Sequence, residues 1–385
     1  MSRHICVVTS TRADYGLLRP IMRAIEAEPS LRLSTVATGT HLSPEFGRTS
    51  SAIEADGFTI HEQVEMLLSS DTPVGVTTSM GLTIIGFAGV LERLAPDLLL
   101  VLGDRYEILA VVQAALIGRV PVAHVSGGDI TEGAIDDAIR HAITKLSHLH
   151  FVTNAEAGRR VVQMGEDPER VVVSGSAGLD DLVAFEPVSR QVLESQLGLG
   201  LREHNLLVTY HPVTLADEPA EHAFGELLAA LDALGEDVGL IMTLPNADTD
   251  GRVIIDMARR FADAREHVVA HDSLGQERYW SALKTVDAVV GNSSSGLTEA
   301  PAVGVPAVNI GERQRGRLRA PSTIDCEPTR SAIEDAVRRA LATGRQPPVS
   351  PYGDGHATRR ILETLLSVQD WTKLVHKTFH TLEPN

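Results

Sequence analysis

Short apolar runs alternate with amphipathic segments along most of this 385-residue chain. The run from Ile5 to Thr9 is apolar up to its end, and the segment after it carries apolar residues at helical spacing. Further strand-like runs follow at 31–37, 98–102, 121–125, 149–152, 206–210, 239–243 and 286–290. Continuous apolar runs are typical of strands that are buried on both faces of a parallel sheet. The alternation therefore predicts an α/β chain with doubly wound sheets.

The alternation is interrupted in two places. Gly175 to Pro187 has the composition of a linker, after which a second alternation follows. The segment from Gln346 to Pro351 is rich in proline, and a long terminal helix is predicted from about Thr358. A chain of this length is expected to form two domains of similar size. We therefore predict Rossmann-like domains at 1–175 and 176–355, followed by a helical segment at 356–385.

Unusual polar residues gather where the predicted strands end. In open α/β sheets, ligands bind outside the carboxyl ends of the strands. In the first half these residues are Arg12, His41, Asp104, Arg105 and Ser126. In the second half they are His211, Asn246, Ser293, Ser294 and Arg313. The two sets predict a GT-B-like arrangement, in which two Rossmann-like domains face each other across an interdomain cleft.

One strand end has a distinctive composition. Gly291 to Pro301 reads GNSSSGLTEAP and lies between an apolar strand and a segment from Leu297 that can begin a helix. Serine hydroxyls and free backbone N–H groups at a helix start offer hydrogen bonds to an anion. Glu299 lies one turn further on, within reach of sugar hydroxyls on the same ligand. The alternative interpretation is a Ser-rich turn that only caps the helix.

Composition disfavours several classes of partner. Acidic residues outnumber basic ones by 51 to 34, which gives a formal charge of −17. A general binder of nucleic acid or of anionic membranes needs an excess of Lys and Arg, so we expect neither partner. Aromatic residues make up only 4% of the chain and offer no stacking platform for single-stranded nucleic acid. No uninterrupted apolar run reaches about 18 residues, so no transmembrane helix is predicted.

The two cysteines, Cys6 and Cys326, are far apart in the sequence and show no CxxC spacing. Because no signal peptide is recognised either, a reduced, cytoplasmic setting is expected. No HExxH motif or paired Cys/His spacing indicates a metal, and the absence of GxGxxG and P-loop motifs disfavours dinucleotide and P-loop sites. Arg12, Arg105 and Arg313 can instead contact the phosphate oxygens of a nucleotide.

Six side chains are candidate acid–base groups: Asp104, Asp129, Asp136, Asp137, His141 and His211. Asp104 also has a structural interpretation, because it can cap the helix after its strand. Asp136 and Asp137 can be first-turn charges that the helix dipole favours. His141 is more typical of a packed or surface histidine. His211 ends a buried strand just before a proline, where few structural roles explain a histidine.

Seven motifs follow one another from Thr9 to Arg317: TSTRADYGLL, GDRYE, GAIDDAIRHAITKLSHLHF, YHPVT, LPNAD, GNSSSGLTEAP and NIGERQRGR. In this order they resemble the hydrolysing UDP-N-acetylglucosamine 2-epimerase family. That family includes bacterial sialic-acid and legionaminic-acid pathway enzymes and the epimerase half of a bifunctional animal enzyme. The resemblance implies a GT-B fold with a terminal helix that crosses back to the first domain, and a homodimer or homotetramer.

The resemblance also implies a reaction that needs no cofactor. A base removes the proton at C2 of the sugar while the C1–O bond to UDP breaks, which gives a glycal intermediate. Water then adds at C1, a proton returns to C2 from the other face, and UDP and a free 2-epimerised sugar leave. UDP-GlcNAc, which would yield N-acetylmannosamine, is the first candidate substrate. The alternative is UDP-2,4-diacetamido-2,4,6-trideoxy-glucose, from the legionaminic-acid pathway.

Roles for single residues follow from the same resemblance. Asp104 and Asp136 match carboxylates that transfer protons, with Asp137 as the adjacent alternative. His211 matches a histidine at the junction of diphosphate and sugar, and Asn246 a position near the sugar or phosphate. The second domain would bind UDP and the first the sugar. The remaining contacts are assigned to Arg12, Arg105 and Arg313 (phosphate or sugar), Ser293 and Ser294 (diphosphate) and Glu299 (ribose).

One position departs from the family pattern. Several members carry a proton-transferring glutamate where this chain has Ser126, in the sequence HVSGG. A serine is not a general base without help. Either Asp104 and Asp136 suffice, or Asp129 substitutes, or the substrate differs. Three other functions stay open: a non-hydrolysing 2-epimerase that retains UDP, a GT-B glycosyltransferase that needs an acceptor, and a nucleotide-sugar sensor without turnover.

Overall fold

The computed structural model of the protein describes residues 2–70, 72–131, 135–212, 220–245 and 251–382. The chain divides into two compact units, each with its own hydrophobic core. Unit 1 consists of Met1–Asp181 together with Gly355–Asn385, and unit 2 consists of Leu182–Asp354. Strands and helices are numbered below in chain order.

Unit 1 contains a parallel sheet, whose seven described strands are β1 (Arg3–Thr9), β2 (Leu31–Thr38), β3 (Ile60–Val64), β4 (Leu98–Leu102), β5 (Val122–Val125), β6 (Leu149–Val152) and β7 (Val171–Val173). They lie in the order β3-β2-β1-β4-β5-β6-β7. The helices of this part of the chain are α1 (Arg12–Ala27), α2 (Ser50–Ala55), α3 (Pro73–Leu94), α4 (Tyr106–Ile117), α5 (Ile135–Leu146), α6 (Ala155–Gln163), α7 (Gly178–Ala184) and α14 (Ala357–Ser367). Every residue of β4 is buried, as expected for a strand covered on both faces.

Unit 2 repeats this architecture, and its six described strands are β8 (His204–Thr209), β9 (Val238–Thr243), β10 (Val268–His271), β11 (Ala288–Gly291), β12 (Ala307–Ile310) and β13 (Thr323–Cys326). They pair in parallel in the order β10-β9-β8-β11-β12-β13. Its helices are α8 (Arg190–Leu197), α9 (Ala220–Asp232), α10 (Gly251–Asp263), α11 (Gly275–Thr285), α12 (Ser295–Ala302) and α13 (Arg330–Thr343). The first six strands of each unit have the Rossmann order 3-2-1-4-5-6, and the predicted doubly wound sheets are confirmed.

The C-terminal segment packs on unit 1, but the helix predicted over 356–385 is too long. Helix α14 ends at Ser367, and Trp371–Val375 forms a separate short turn. The helix ends because the chain becomes extended at Val368, whose carbonyl accepts a hydrogen bond from Arg3 Nη1 at 2.5 Å. Trp371 is then buried against the unit 1 core.

The segment predicted to be a linker, 175–187, is partly helical. Helix α7 occupies Gly178–Ala184 and buries Leu179 and Leu182. The glycine and proline at the two ends of the segment suggest a linker. The two leucines lie at helical spacing, which indicates a helix instead. The boundary between the units falls inside this helix, after Asp181.

Helix α3 is long and apolar enough, by length and composition alone, to cross a membrane. The apolar run of this helix is interrupted by Gly, Thr and Ser residues, so the sequence predicted no transmembrane helix here. A core helix of a soluble protein passes the same test, and Phe87, Val90 and Leu91 pack on one face of the unit 1 sheet. The opposite side of α3 is exposed, with 76% of Val74 and 73% of Ile85 accessible.

Candidate active site

Asp104 follows β4 at the C-terminal edge of the unit 1 sheet. Its loop is fixed by Gly103, whose N–H donates to Val125 O at 3.0 Å and whose carbonyl accepts from His124 Nε2 at 2.8 Å. Burial lowers the pKa of His124 to about 3, so this histidine is neutral. Arg140 Nη2 donates to Asp104 Oδ2. Asp104 Oδ1 accepts no hydrogen bond from the described residues, and 29% of the side chain is exposed.

Arg140 connects two loops at this edge. Its side chain, on α5, is only 8% exposed. Besides Asp104 after β4, it contacts the loop after β5, where Nη1 donates to Asp129 O at 2.8 Å and Nη2 to Thr131 Oγ1 at 3.0 Å. Its guanidinium therefore fixes the carboxylate of one loop relative to the backbone of another.

The two adjacent carboxylates at the start of α5 have different surroundings. Asp137 Oδ1 accepts from Thr131 N at 2.7 Å, and its oxygens lie 3.8 Å from Arg140 Nη1 and 3.5 Å from His141 Nε2. Asp136 is exposed and forms no hydrogen bond or ion pair with the described residues. Asp137 therefore fixes the start of α5, whereas the carboxylate of Asp136 is accessible to a ligand.

Ser126 lies directly after β5 in an uncommon backbone conformation. Its φ of +64° is in the left-handed region, which residues other than glycine rarely adopt outside turns and functional sites. The carboxylate of Asp129 is engaged after β6, where both oxygens accept from Thr153 Oγ1 at 3.0 Å. Burial raises the pKa of Asp129 against the opposing effect of this hydroxyl. Its contacts at the end of β6 do not favour Asp129 as the substitute for the missing glutamate.

Two of the predicted phosphate ligands lie after neighbouring strands. Arg12 begins α1 and is exposed. Arg105 Nε donates to Glu107 Oε1 at 2.5 Å, and Glu107 is 1% exposed. Burial opposes the charge of Arg105, but the Glu107 carboxylate outweighs it and raises the pKa of Arg105. The Nη groups of Arg105 donate no hydrogen bond within the described part of the chain, so they are available to an anion.

A buried carboxylate that sequence reasoning did not single out supports the loop after β1. Asp14 accepts from Thr9 Oγ1 at 2.6 Å and from Thr11 N at 3.0 Å, and its own N–H donates to Thr11 Oγ1 at 3.2 Å. The spacing of Thr11 and Asp14 is that of a capping box, which is readable from the sequence. His41, predicted as a strand-end ligand, is fully buried with Nε2 3.0 Å from Thr9 Oγ1, which gives it a structural role.

In unit 2, the backbone at the end of β11 lies very close to the backbone of β8. Gly291 has a φ of +139°, and a Cβ at this position would lie 1.9 Å from Thr209 O. No other residue fits there without moving the backbone. The first glycine of GNSSSG is therefore required by the close approach of two strand ends.

Asn292 joins the loop after β11 to the loop after β8. It is fully buried, its Oδ1 accepts from His211 N at 2.7 Å, and its Nδ2 donates to His211 O at 2.8 Å. The Asn292 carbonyl accepts from Arg313 Nη1 at 3.1 Å and Gln314 Nε2 at 2.9 Å. This asparagine thus contacts two predicted site residues of unit 2, His211 and Arg313, although sequence reasoning gave it no role.

The serines after Asn292 start a helix earlier than predicted. Helix α12 begins at Ser295 instead of Leu297, and Ser294 occupies its N-cap without a side-chain capping hydrogen bond. Among the described residues, Ser293 Oγ accepts only one long hydrogen bond, from Ser295 N at 3.4 Å. Glu299 Oε1 accepts from Trp280 Nε1 at 3.1 Å. The hydroxyl of Ser294 therefore does not cap α12, and the diphosphate role of this serine stays a prediction.

Arg313 completes the described edge of unit 2. Burial and the nearby Arg317 lower the pKa of Arg313, because neither effect favours its positive charge. A bound anion would stabilise both guanidinium groups. Asn246, the remaining predicted contact, lies outside the described residues.

The two sheet edges differ in chemistry. Carboxylates and guanidinium groups dominate the edge of unit 1, which suits proton transfer. Hydroxyls, free backbone N–H groups and Arg313 dominate the edge of unit 2, which suits phosphate binding. Among the residues that the structure describes, no group of three or more His, Cys, Asp or Glu side chains could hold a metal ion.

The family model of UDP-N-acetylglucosamine 2-epimerase matches residues 23–366 of this chain. The chain belongs to this family. It is 37% identical to a GDP/UDP-N,N'-diacetylbacillosamine 2-epimerase (hydrolyzing) of Campylobacter jejuni, over 98% of each chain. It is 33% identical to a UDP-N,N'-diacetylbacillosamine 2-epimerase (hydrolyzing) of Legionella pneumophila, over 98% of this chain and 99% of that one.

Solved structures agree in fold. A UDP-GlcNAc 2-epimerase from Neisseria meningitidis, bound to UDP-GlcNAc, has a TM-score of 0.76 at 16% identity, over 95% of this chain and 100% of that chain. The predicted α/β, GT-B-like fold class is confirmed. Members of the UDP-N-acetylglucosamine 2-epimerase family are enzymes, so the prediction that this protein is an enzyme is confirmed as well.

Proposed function

We propose that this family member is a hydrolysing 2-epimerase of a nucleotide-activated 2-acetamido sugar. In this proposal unit 2 holds the nucleotide diphosphate and the carboxylates of unit 1 act on the sugar. The observation that carries the proposal is Asp104, which is oriented by Arg140 through one oxygen while the other is open. A carboxylate in this state is suited to take a proton from carbon.

The proposed reaction proceeds in two steps. A base takes the proton from C2, the C2 electrons form the C1–C2 double bond, and the C1–O bond breaks to release the nucleoside diphosphate. Water then adds its oxygen to C1, and C2 takes a proton on its opposite face. The products are free UDP, or the corresponding nucleotide, and the free 2-epimer of the sugar.

We assign the proton transfers to Asp104 and Asp136 and leave Asp137 a structural role. Asp136 is exposed and uncommitted, whereas Asp137 is bound to Thr131 N and lies near Arg140. His211 is proposed to lie beside the diphosphate, because Asn292 holds its backbone next to the serines of α12. These assignments make Asp129 dispensable for the chemistry.

The sugar is proposed to be the 2,4-diacetamido-2,4,6-trideoxy form, with UDP-GlcNAc as the second candidate. Two relatives with 37% and 33% identity over nearly the whole chain bear the diacetylbacillosamine name. The family description, in contrast, supports UDP-GlcNAc. Release of nucleoside diphosphate should be measured for both sugars, and with both UDP and GDP as carriers. Turnover that needs an added acceptor would favour a glycosyltransferase, and binding without turnover would favour a sensor.

Ser294→Ala should weaken UDP binding by about 1–2 kcal/mol, because the variant lacks the hydroxyl that we propose contacts a phosphate oxygen. This hydroxyl has no hydrogen-bond partner within the described chain. Isothermal titration calorimetry measures this as a roughly 5- to 30-fold increase in Kd. Ser189→Ala, at the N-cap of α8 in the same unit, is the control and should not change the affinity. An unchanged Kd for Ser294→Ala would show that the diphosphate binds elsewhere.

The protein is further proposed to be a homodimer formed through the exposed face of α3. No charged residue occurs from Pro73 to Val90, although one side of this helix is exposed and the whole chain carries a charge of −17. An apolar helix face without Lys or Arg favours a protein partner over an anionic membrane. A second copy presents the same uncharged face, so two helices about 33 Å long can pair without burying charge.

Ile85→Arg should convert the dimer to a monomer, because it places a charge in the middle of this face. Size-exclusion chromatography with light scattering gives the mass directly. Val192→Arg changes an exposed valine of α8 in unit 2 and should leave the mass unchanged. A monomeric wild-type protein, or a dimeric Ile85→Arg variant, would contradict this interface.

A cytoplasmic location is proposed from the state of the cysteines. Cys6 is buried and Cys326 is partly buried, and both are free. Burial raises the pKa of each thiol to about 12, so both stay protonated. Neither thiol needs an oxidising compartment for the fold.

A further inference from the structure

Arg140 is a buried cation whose partners lie in two loops at the C-terminal edge of the unit 1 sheet. Charged side chains are rarely this buried unless they are paired. Here the pairing is spread over a carboxylate, a carbonyl and a hydroxyl, which belong to Asp104, Asp129 and Thr131. A residue that only stabilised α5 would not need to reach the loop after β4.

The contacts also define which part of Asp104 is left for a ligand. Arg140 Nη2 holds Oδ2, and the described residues donate nothing to Oδ1. The same Nη2 group is anchored by Thr131 Oγ1 at 3.0 Å, and Nη1 by Asp129 O at 2.8 Å. The guanidinium therefore cannot rotate without losing these anchors, so the direction of Oδ1 is fixed too.

We propose that Arg140 is a positioning residue that orients Asp104 for proton transfer at C2 of the sugar. This inference rests on the proposed function, because it takes Asp104 as a base. Arg140 itself does not contact the substrate in this account. Its effect passes through the carboxylate, so it should change the rate of turnover and leave nucleotide binding alone.

The geometry requires an arginine. The planar guanidinium has five N–H donors in a rigid fork, and it can hold acceptors on two loops at once. A lysine at this position keeps the positive charge and can bind one of the acceptors, but it cannot donate hydrogen bonds to all three at once. A glutamine keeps a donor and removes the charge.

Arg140→Lys and Arg140→Gln test the proposal, with Arg159→Gln, a largely exposed arginine of α6, as the control. Turnover is measured as release of nucleoside diphosphate, nucleotide affinity by calorimetry and folding by thermal unfolding. For Arg140→Gln we expect kcat to fall by roughly 100-fold, the size of loss that a 1 Å misplacement of a catalytic group causes. Arg140→Lys should retain more of the rate, and both variants should bind UDP with wild-type Kd.

The outcomes separate this inference from the proposed function. If the wild-type protein releases no nucleotide from any of the sugars, the proposed function fails. If the wild type is active and both folded Arg140 variants keep its kcat, only the positioning role is overturned. A parallel loss of UDP affinity in the folded Arg140→Lys variant would overturn it as well, since Arg140 would then act beyond Asp104.

Discussion

Asp104→Asn should lower kcat by about a thousandfold, because general base catalysis contributes roughly 10²–10⁴ to a rate and an amide cannot accept the C2 proton. The affinity for UDP should stay near that of the wild type. Asparagine has the shape of aspartate and keeps an oxygen for Arg140, so the loop after β4 should remain in place. Nucleotide release and calorimetric titration with UDP measure the two quantities on one preparation.

Asp97→Asn is the matched control for this prediction. Asp97 precedes the same strand, at its opposite end, where Oδ2 accepts from His4 N at 2.7 Å. The same change of residue type should therefore affect folding stability only. If Asp104→Asn lost turnover and UDP affinity in parallel, Asp104 would have a structural role instead of a catalytic one.

Asn292→Ala should reduce both the stability of unit 2 and its affinity for nucleotide. Truncation removes the two hydrogen bonds that Asn292 forms with the backbone of His211, at about 1–2 kcal/mol for each of these part-buried contacts. We expect a loss of roughly 2–4 kcal/mol in stability by the same measure, read from urea unfolding. UDP affinity should fall about tenfold or more, because the serine loop is no longer held to the loop after β8.

Asn205→Ala separates the two effects. Asn205 is also buried and binds one residue in the same way, with Oδ1 accepting from Arg202 N at 2.9 Å and Nδ2 donating to Arg202 O at 3.0 Å. It does so at the opposite end of β8. Its loss should cost comparable stability with no effect on UDP affinity. Equal affinity losses in the two variants would mean that Asn292 acts only through stability.

The sequence predicts the two sheets well because their strands are buried on both faces. A parallel strand such as β4 reads as a continuous apolar run, and the residue that follows it must lie at the ligand-binding edge. The positions of Asp104 and Ser126 at this edge therefore follow from the sequence alone. Helix α7 was missed because its glycine and proline neighbours dominated the pattern.

The side chains that organise the site could not be predicted in the same way. Arg140 and Asn292 act across loops that are distant in sequence, so no local spacing reveals their partners. The difference between Asp136 and Asp137 is equally invisible, because it depends on the position of Thr131 N. The exposed face of α3 could not be predicted from the sequence either. Its composition is that of a core helix, and only the packing shows which face is uncovered.

Hydrolytic epimerisation at C2 can be followed by proton NMR of the reaction in deuterated water. UDP-2,4-diacetamido-2,4,6-trideoxy-glucose and UDP-GlcNAc are each incubated with the enzyme, without an acceptor. We predict free UDP and the free 2-epimer of one of these sugars, with deuterium at C2. A sugar that stays attached to UDP, or a released sugar that keeps its original proton and configuration at C2, would contradict the account.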